Sequence, residues 1–274
     1  MAFSRAIRLV GFLVVVISIR STFGVPRTHL RSINADPLFT KWPNSTIPYY
    51  IDSVYTSKQA QLIRSAAQKV STDMSGCIKF VEVKPTSAQY KIKVTPFKTG
   101  TSVKELRCSA YPGIFTGFQQ AGYKEQRIVL VEGEQGCLDG TLHPIMKYFT
   151  IILGKINEHQ RSDRDDFIKI NETNLVDNSQ NIYRQHDLTD TFSTCSYDYC
   201  SITHNPETMY TPDGSKVGFT VLKAPFYIPK LTRLSECDCK DLSILYECES
   251  SKCEPLNCAG LVKTAGDKKL PEGH

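Results

Sequence analysis

The chain has 274 residues, of which 41% are hydrophobic, and it contains no low-complexity run. Such a chain can bury one sizeable core, which we expect to divide into two lobes. The formal net charge is +5, but no basic block with interleaved aromatic residues is present, which argues against nucleic-acid binding.

Residues 1–24 have the features of a secretory signal peptide. Arg5 and Arg8 precede an apolar run, Leu9–Ile19, that is too short to span a bilayer, and we expect cleavage after Gly24. Cleavage removes three of the 33 basic residues, which leaves 30 against 28 acidic residues and a net charge of +2. A retained anchor is the weaker alternative. We therefore predict a secreted, extracellular protein with no membrane span.

Ten cysteines in such a chain indicate an oxidising compartment and a framework of disulfide bonds. They lack the paired CxxC spacing of a zinc ribbon, and Cys237 and Cys239 are too close in sequence to bridge each other easily. Two sequons predict glycosylation at Asn44 and Asn171, in agreement with secretion.

The N-terminal part of the chain predicts a mixed sheet with a packed helix. A short polar lead, 25–41, precedes it. Apolar residues at helical spacing predict a helix over 57–74, with Ser57 as its N-cap and Gly76 as its stop. Period-two alternation and apolar content predict three strands, at Cys77–Val83, Tyr90–Val94 and Gln126–Val131.

The central stretch, 140–170, contains a second predicted helix that runs from Pro144 to about Ile156. Proline is acceptable in the first turn of a helix, and the apolar residues that follow recur at helical spacing. This pattern is typical of a buried core helix. A polar segment rich in both charge signs, 158–166, follows it.

Several short blocks between residues 42 and 248 match one known pattern. They are Trp-Pro at 42–43 with Ile-Pro-Tyr at 47–49, Gly-Cys-Leu-Asp-Gly-Thr at 136–141, Glu-His-Gln-Arg at 158–161, Asp-Arg-Asp-Asp at 163–166, Tyr-Asp-Tyr at 197–199 and Ser-x-x-Asp at 235–238. On these blocks the chain resembles the astacin family of secreted zinc endopeptidases. The resemblance implies an α+β fold, a two-lobed metzincin domain over 42–248 with an N-terminal mixed sheet, helices and an irregular C-terminal lobe.

In the family a central helix carries HExxHxxGxxH, in which three His bind zinc and the Glu acts on a zinc-bound water. When this pattern is aligned on Gly154, the ligand positions hold Lys147, Ile151 and Asn157, and the general-base position holds Tyr148. Ile151 has no lone pair, Asn157 offers a weak amide oxygen, and Lys147 could bind a metal only when neutral. The resemblance therefore leaves these positions without a zinc site.

Two further comparisons point the same way. Alignment on the upstream Gly-Thr pair places Pro144, Ile145 and Tyr148 where His, Glu and His belong, and no two of the six histidines lie four or six residues apart. The family's Met-turn methionine and its fifth-ligand tyrosine are replaced by Thr203 and Asn205. We therefore expect no catalytic residue or zinc ligand of the family type, and no cofactor.

The resemblance also implies two disulfide bonds, Cys77–Cys248 and Cys108–Cys137. It assigns no partner to the remaining cysteines, which are Cys195, Cys200, Cys237, Cys239, Cys253 and Cys258. The polar, cysteine-containing tail at 249–274 is too short for an EGF-like or CUB module.

The favoured interpretation is a non-proteolytic binding or regulatory homologue that takes an extended peptide or protein ligand. In the family a sheet edge along the cleft pairs with the substrate backbone, and such an edge can hold a peptide without cutting it. The resemblance assigns this edge to Gln126, Arg127, Ile128, Val129 and Leu130.

Two alternatives stay open. One is an active zinc endopeptidase with a re-sited metal, and its candidate ligands are His143, His159, His186 and His204, with Glu158 nearby. The other is a structural component of an extracellular matrix or surface coat, which rests only on secretion, glycans and cysteines. Metal content separates the first alternative from the favoured interpretation, and intermolecular disulfides would indicate the second.

Overall fold

The computed structural model describes residues 33–177, 179–187, 191–193, 195–212, 216–223, 228–248 and 253–255. The predicted signal peptide, most of the polar lead and most of the tail lie outside these residues, as do His29, Cys258 and His274. Within the described part of the chain, no helix combines the length and apolar character that a bilayer crossing requires.

The strands and helices are given in chain order. The strands are β1 (Ile33–Asn34), β2 (Phe39–Thr40), β3 (Thr46–Ile51), β4 (Lys79–Glu82), β5 (Lys91–Thr95), β6 (Ser109–Ala110), β7 (Ile114–Phe115), β8 (Glu125–Val129), β9 (Ile168–Ile170), β10 (Thr191–Phe192) and β11 (Phe219–Val221). The α-helices are α1 (Ser57–Asp73), α2 (Thr116–Gln120), α3 (His143–Ile151) and α4 (Glu236–Leu245).

A five-stranded mixed sheet forms the frame of the N-terminal lobe, and its strand order is β4-β3-β5-β8-β6. The first four strands are parallel, whereas β6 returns antiparallel beside β8. Alternate residues such as Ile92 and Val94 are fully buried, which is the arrangement that period-two patterning predicts. The predicted mixed sheet with a packed helix is confirmed.

Helix α1 buries the predicted apolar face against the sheet and α3, with Ile63, Ala66 and Val70 at most 1% exposed. Its N-cap differs from the prediction. Thr56, and not Ser57, forms a capping box with Gln59. The Thr56 side chain accepts a hydrogen bond from the Gln59 backbone N–H, and the Gln59 side chain accepts one from the Thr56 backbone N–H. Thr56 is therefore the N-cap, and Ser57 is the first residue of the helix.

Helix α3 ends at Ile151, earlier than the predicted end at Ile156. The chain leaves the helix through a turn in which Gly154 has a φ of +110°, a conformation that favours glycine. A side chain there would also lie 2.9 Å from Cδ2 of Leu245 on α4. The chain therefore turns out of the helix before Gly154, although the apolar spacing in sequence continues to Ile156.

The peptide-binding edge predicted at residues 126–130 is partly covered by another strand, which pairs with Ile128 and Val129. Strand β8, which contains most of residues 126–130, is an inner strand with β5 on one side and β6 on the other. The side chain of Gln126 donates to the Gly113 carbonyl at 2.7 Å and accepts from the Phe115 backbone at 3.1 Å. A two-residue strand has too few residues to show a period, so β6 could not be found from sequence. The sheet edge on this side is Ser109–Ala110.

The C-terminal lobe is irregular, as the resemblance implies. It contains the two-stranded pair β9–β11 and several short 3-10 helices around a second apolar cluster. That cluster consists of Ile168, Leu175, Tyr183, Tyr197, Tyr210, Phe219 and Ile228. The α+β, two-lobed fold class is therefore confirmed.

Disulfide bonds connect the elements. The structure contains Cys77–Cys248 and Cys108–Cys137, the two pairs implied by the resemblance. It also pairs Cys195 with Cys237 and Cys239 with Cys253, and Cys200 is disulfide-bonded as well. The Cys77–Cys248 bond closes a loop of 171 residues. A disulfide bond across a loop of that length stabilises a fold by about 4–5 kcal/mol on the chain-entropy estimate.

Candidate functional site

A cavity of about 390 Å³ lies between α3 and the edge strand β6. Helix α3 contributes Lys147, Tyr148 and Ile151 to its lining, and β6 contributes Ser109 and Ala110. The segments after α3 complete the wall, and their lining residues are Ile156, Asn157, His159, Gln160, Ile182, His186, Asn205 and Tyr210. The cavity is thus formed by residues of both lobes.

The three positions that hold zinc ligands in the astacin pattern line this one cavity. They are Lys147, Ile151 and Asn157, and Tyr148 at the general-base position lines it as well. Ile145, which the alternative alignment would place at the general-base position, is fully buried in the apolar core instead. The geometry therefore agrees with the alignment on Gly154.

Lys147 is a buried amine without a counter-charge. It is 7% exposed, and its Nζ donates a hydrogen bond to Oδ1 of Asn205. Burial lowers the pKa of Lys147 from 10.5 to about 7, because desolvation disfavours the charged form. Among the ion pairs between described residues, none includes Lys147. The amine of Lys147 thus occupies the first ligand position and is hydrogen-bonded to Asn205, the residue at the family's tyrosine position.

His159 has a defined tautomer. Its Nδ1 accepts from the Asn205 backbone N–H at 3.2 Å, so in the neutral ring the proton lies on Nε2. Burial and the nearby Lys147 lower the pKa of His159 well below its usual value, which keeps the ring neutral. Nε2 is buried beside the Ile182 carbonyl, an acceptor that raises the pKa of the ring.

His204 cannot supply a metal ligand in this arrangement. Its Nδ1 lies 2.7 Å from the Asn205 carbonyl, to which it must donate, and its Nε2 lies 2.6 Å from the Tyr197 hydroxyl, from which it then accepts. Both ring nitrogens are used. His143 contacts the Leu231 carbonyl through Nδ1 at 2.6 Å and lies outside the cavity lining.

Glu158 belongs to a structural ion-pair group and lies outside the cavity lining. Its Oε1 accepts from Nη1 of Arg161 at 2.7 Å and from the Asp198 backbone at 2.9 Å. Arg161 in turn donates to both carboxylate oxygens of Asp163. The Glu-His-Gln-Arg block that carries much of the resemblance therefore holds the chain in place after α3.

The family's zinc does not fit the residues present. A structural or catalytic zinc takes thiolate, imidazole or carboxylate ligands in tetrahedral geometry, whereas this site offers an amine, an alkyl chain and an amide. Of the re-sited candidates, only His159 and His186 line the cavity. Over the described ranges, no three His, Cys, Asp or Glu side chains are grouped as a metal site would require.

Several cavity residues escaped the sequence analysis. Arg107 and Tyr210 line the cavity, and the Arg107 guanidinium lies over the Tyr210 ring at 5.3 Å. Tyr210 also raises the pKa of Tyr148, which burial already holds well above its usual range. No spacing in the sequence connects these residues with α3, so no local signal could have identified them.

The two predicted glycosylation sites differ in environment. Asn44 is exposed, in the short 3-10 helix before β3. Asn171 is partly buried, and its Nδ2 donates to the Val217 carbonyl at 3.2 Å and to the Thr220 hydroxyl at 3.1 Å. Glycosylation of Asn171 replaces one of the two Nδ2 hydrogens and so removes at least one of these bonds, which makes Asn44 the more accessible acceptor.

Comparison with known proteins places the chain in a family. Residues 34–247 match the profile of the peptidase family Astacin. Low choriolytic enzyme of Oryzias latipes is 26% identical over 214 residues, which cover 76% of this chain and 69% of that protein. Zinc metalloproteinase nas-17 of Caenorhabditis elegans is 27% identical over 242 residues, which cover 84% of this chain but only 49% of that protein.

A solved structure supports the same fold. High choriolytic enzyme 1, a hatching enzyme zinc-protease of the medaka Oryzias latipes, superposes with a TM-score of 0.59 at 24% sequence identity, and the match covers 77% of this chain and 95% of that one. The profile match extends over most of the described residues. The chain belongs to the astacin family.

Proposed function

We propose that this chain is a secreted, non-proteolytic member of the astacin family that holds an extended peptide in its cleft without cutting it. The observation that carries the proposal is the content of the cavity. The positions of the three zinc ligands and of the general base meet there as Lys147, Ile151, Asn157 and Tyr148.

Hydrolysis of a peptide needs an activated water and a group that stabilises the oxyanion. Tyr148 is a poor base at neutral pH, since burial raises its pKa well above the usual range for tyrosine. Asn205, at the family's tyrosine position, is bonded to Lys147. Thr203, at the Met-turn position, donates to the Ile156 carbonyl at 3.0 Å. Each replaced residue has a structural partner instead of a catalytic one.

The cleft retains what backbone binding requires. Strand β6 is the last strand of the sheet on the side of the cavity, so one of its edges has no neighbouring strand in the described sheet. An extended peptide can add to such an edge through main-chain hydrogen bonds. We place the binding edge at Ser109–Ala110, in place of residues 126–130.

A zinc endopeptidase with a re-sited metal is the alternative function, and the names of the metalloproteinase relatives favour it. The hydrogen bonds of His204 count against it, because they use both ring nitrogens. A matrix component has no specific support from the site.

The experiment uses the full chain, expressed through a secretory pathway, and a library of short synthetic peptides. Fluorescence anisotropy measures binding, and mass spectrometry of the same samples measures cleavage. We expect saturable binding with the peptides recovered intact. Ile151→Trp, which fills the cavity, should abolish binding. Val81→Trp on the opposite sheet edge, where Val81 is 43% exposed, is the matched control and should bind normally.

Two results would count against the proposal. Cleavage that a chelator abolishes would support the endopeptidase alternative. Binding that is equal in Ile151→Trp and the wild type would place the ligand elsewhere on the molecule.

A further inference from the structure

We infer that the floor of the cavity is a carboxylate-binding site centred on Lys147, beside Asn205 and His159. The inference deepens the proposed function and rests on it in one respect: the carboxylate is taken to belong to a peptide held in the cleft. The source is either the C-terminal α-carboxylate or the side chain of an Asp or Glu.

The first step is the missing counter-charge. Lys147 is 7% exposed and has a single hydrogen bond in the structure, to a neutral amide oxygen. A buried ammonium without an anionic partner is unfavourable by several kcal/mol. A ligand that brings a negative charge removes this penalty, whereas a neutral carbonyl would not.

The second step is that the neighbouring polar atoms are donors. Oδ1 of Asn205 accepts from Lys147, so its Nδ2 is the donor end of the amide. That nitrogen is buried beside the Tyr183 hydroxyl, whose pKa it lowers as a hydrogen-bond donor. Nε2 of His159 carries the ring proton and is buried beside the Ile182 carbonyl, an acceptor that raises the pKa of the ring. Both nitrogens are donors, so neither competes with a carboxylate for Lys147.

The third step is the charge of the lining. The cavity is lined by Lys147 and, from the β6 side, Arg107, and none of its described lining residues is an Asp or Glu. A volume of about 390 Å³ exceeds the roughly 30 Å³ share of a single water by an order of magnitude. A carboxylate with the side chain or chain end that bears it therefore fits.

A single buried cation suits a monoanion. A carboxylate accepts up to four hydrogen bonds through two oxygens, so it can pair with Lys147 and still accept from a further donor. A metal cation would be repelled by the Lys147 ammonium. Lys147 thus provides a site for one ligand charge.

The test compares matched peptides in the folded full chain. Each peptide that binds is made with a free and an amidated C-terminus, and with Glu and Gln at each acidic position. We expect one carboxylate to be required, with affinity reduced about 10- to 100-fold when it is neutralised, the range for a hydrogen bond to a charged group. The position of that carboxylate identifies its source.

The Lys147→Met variant should bind the carboxylate peptide and the neutral peptide with the same affinity. That affinity should equal the affinity of the wild type for the neutral peptide. Lys91→Met is the matched control, since Lys91 is also buried but contacts Glu125 and Ser87 outside the cavity lining. It should keep the carboxylate preference. Peptides that bind wild type with no such preference would overturn the carboxylate site and leave the proposed function standing.

A second probe works without any peptide. Acetate and its neutral counterpart acetamide are titrated while the imidazole ¹⁵N resonances of His159 are followed by NMR. Saturable shifts with acetate alone, absent in Lys147→Met, are expected. If peptides fail to bind but acetate gives these shifts, the site stands and peptide holding is wrong. If acetate gives no saturable shift in the wild type, the site is wrong.

Discussion

Two buried lysines, Lys155 and Lys147, lie in the same region of the molecule but in opposite electrostatic environments. Lys155 is 1% exposed and lies 3.0 Å from Asp241 and 3.2 Å from Asp238. Burial alone would lower its pKa, but the two carboxylates raise the pKa above its usual value. Lys147 has only Asn205, and burial lowers its pKa to about 7.

The two lysines differ in whether the protein supplies their counter-charge. The carboxylates that pair with Lys155 also accept hydrogen bonds from other residues of the protein. Asp238 accepts from the Ser201 hydroxyl at 2.7 Å, and Asp241 accepts from the Ser193 hydroxyl at 3.0 Å. Lys147, in contrast, has a neutral amide oxygen as its partner and no ion pair among the described residues. We interpret the Lys155 ion pairs as part of the fold, and the unpaired cation of Lys147 as a place for an anionic ligand.

The largest expected effect is on the balanced lysine. Lys155→Met leaves Asp238 and Asp241 buried without their cation, and removal of one partner from a buried ion pair costs about 3–5 kcal/mol. Urea denaturation with the disulfides intact measures this change in the free energy of unfolding. A loss below about 1 kcal/mol would show that the network is not the stabilising element.

The second prediction concerns pH and sharpens the contrast. The pKa of Lys147 is about 7 in the folded chain and 10.5 in the reference state. Between these values the unfolded state binds a proton that the folded state does not, so stability rises with pH. We expect a rise of about 3 kcal/mol between about pH 7 and pH 9.5. The rise should be absent in Lys147→Met, and an equal rise in both proteins would contradict the assignment.

A third change supplies the missing counter-charge. Asn205→Asp places a carboxylate at the atom that already accepts from Lys147. We expect the free energy of unfolding to increase by about 1 kcal/mol, as for a hydrogen bond that becomes charge-assisted. The same variant should lose carboxylate binding, because its own carboxylate occupies the donors. Unchanged binding of acetate in this variant would be incompatible with the site.

The smallest effect on stability is expected for the unbalanced lysine. Lys147→Met replaces a buried amine by an apolar side chain of similar length and removes a single hydrogen bond. At about pH 10, where the cost of deprotonating Lys147 on folding is largely gone, the substitution should change the free energy of unfolding by less than about 1 kcal/mol. Its effect on carboxylate affinity should be large by comparison. A destabilisation similar to that of Lys155→Met would mean that Lys147 serves the fold.

Local signals in the sequence were sufficient for much of the frame. The apolar face of α1 follows from the spacing and type of its residues. The end of α3 at Ile151 does not, because the apolar spacing continues past the turn at Gly154. The edge strand at Ser109–Ala110 does not either, since its position depends on pairing with β8.

The candidate site was predictable only in part. The family pattern located Lys147 and Asn205 separately, one on α3 and one far along the chain. That their side chains are hydrogen-bonded to each other, and that His159 accepts from the Asn205 backbone, depends on the folding of three distant segments together. Tertiary contacts of this kind leave no periodicity in the sequence.

Zinc content tests the central claim most directly. The full chain is folded through a secretory pathway, exposed to zinc, dialysed and measured by atomic spectrometry. The positive control carries Lys147→His, Tyr148→Glu, Ile151→His and Asn157→His, which restores the family pattern in the same cavity. We predict far less than one zinc per chain for the wild type and close to one for the control. Close to one zinc per wild-type chain, with peptide cleavage that a chelator abolishes, would contradict a non-proteolytic function.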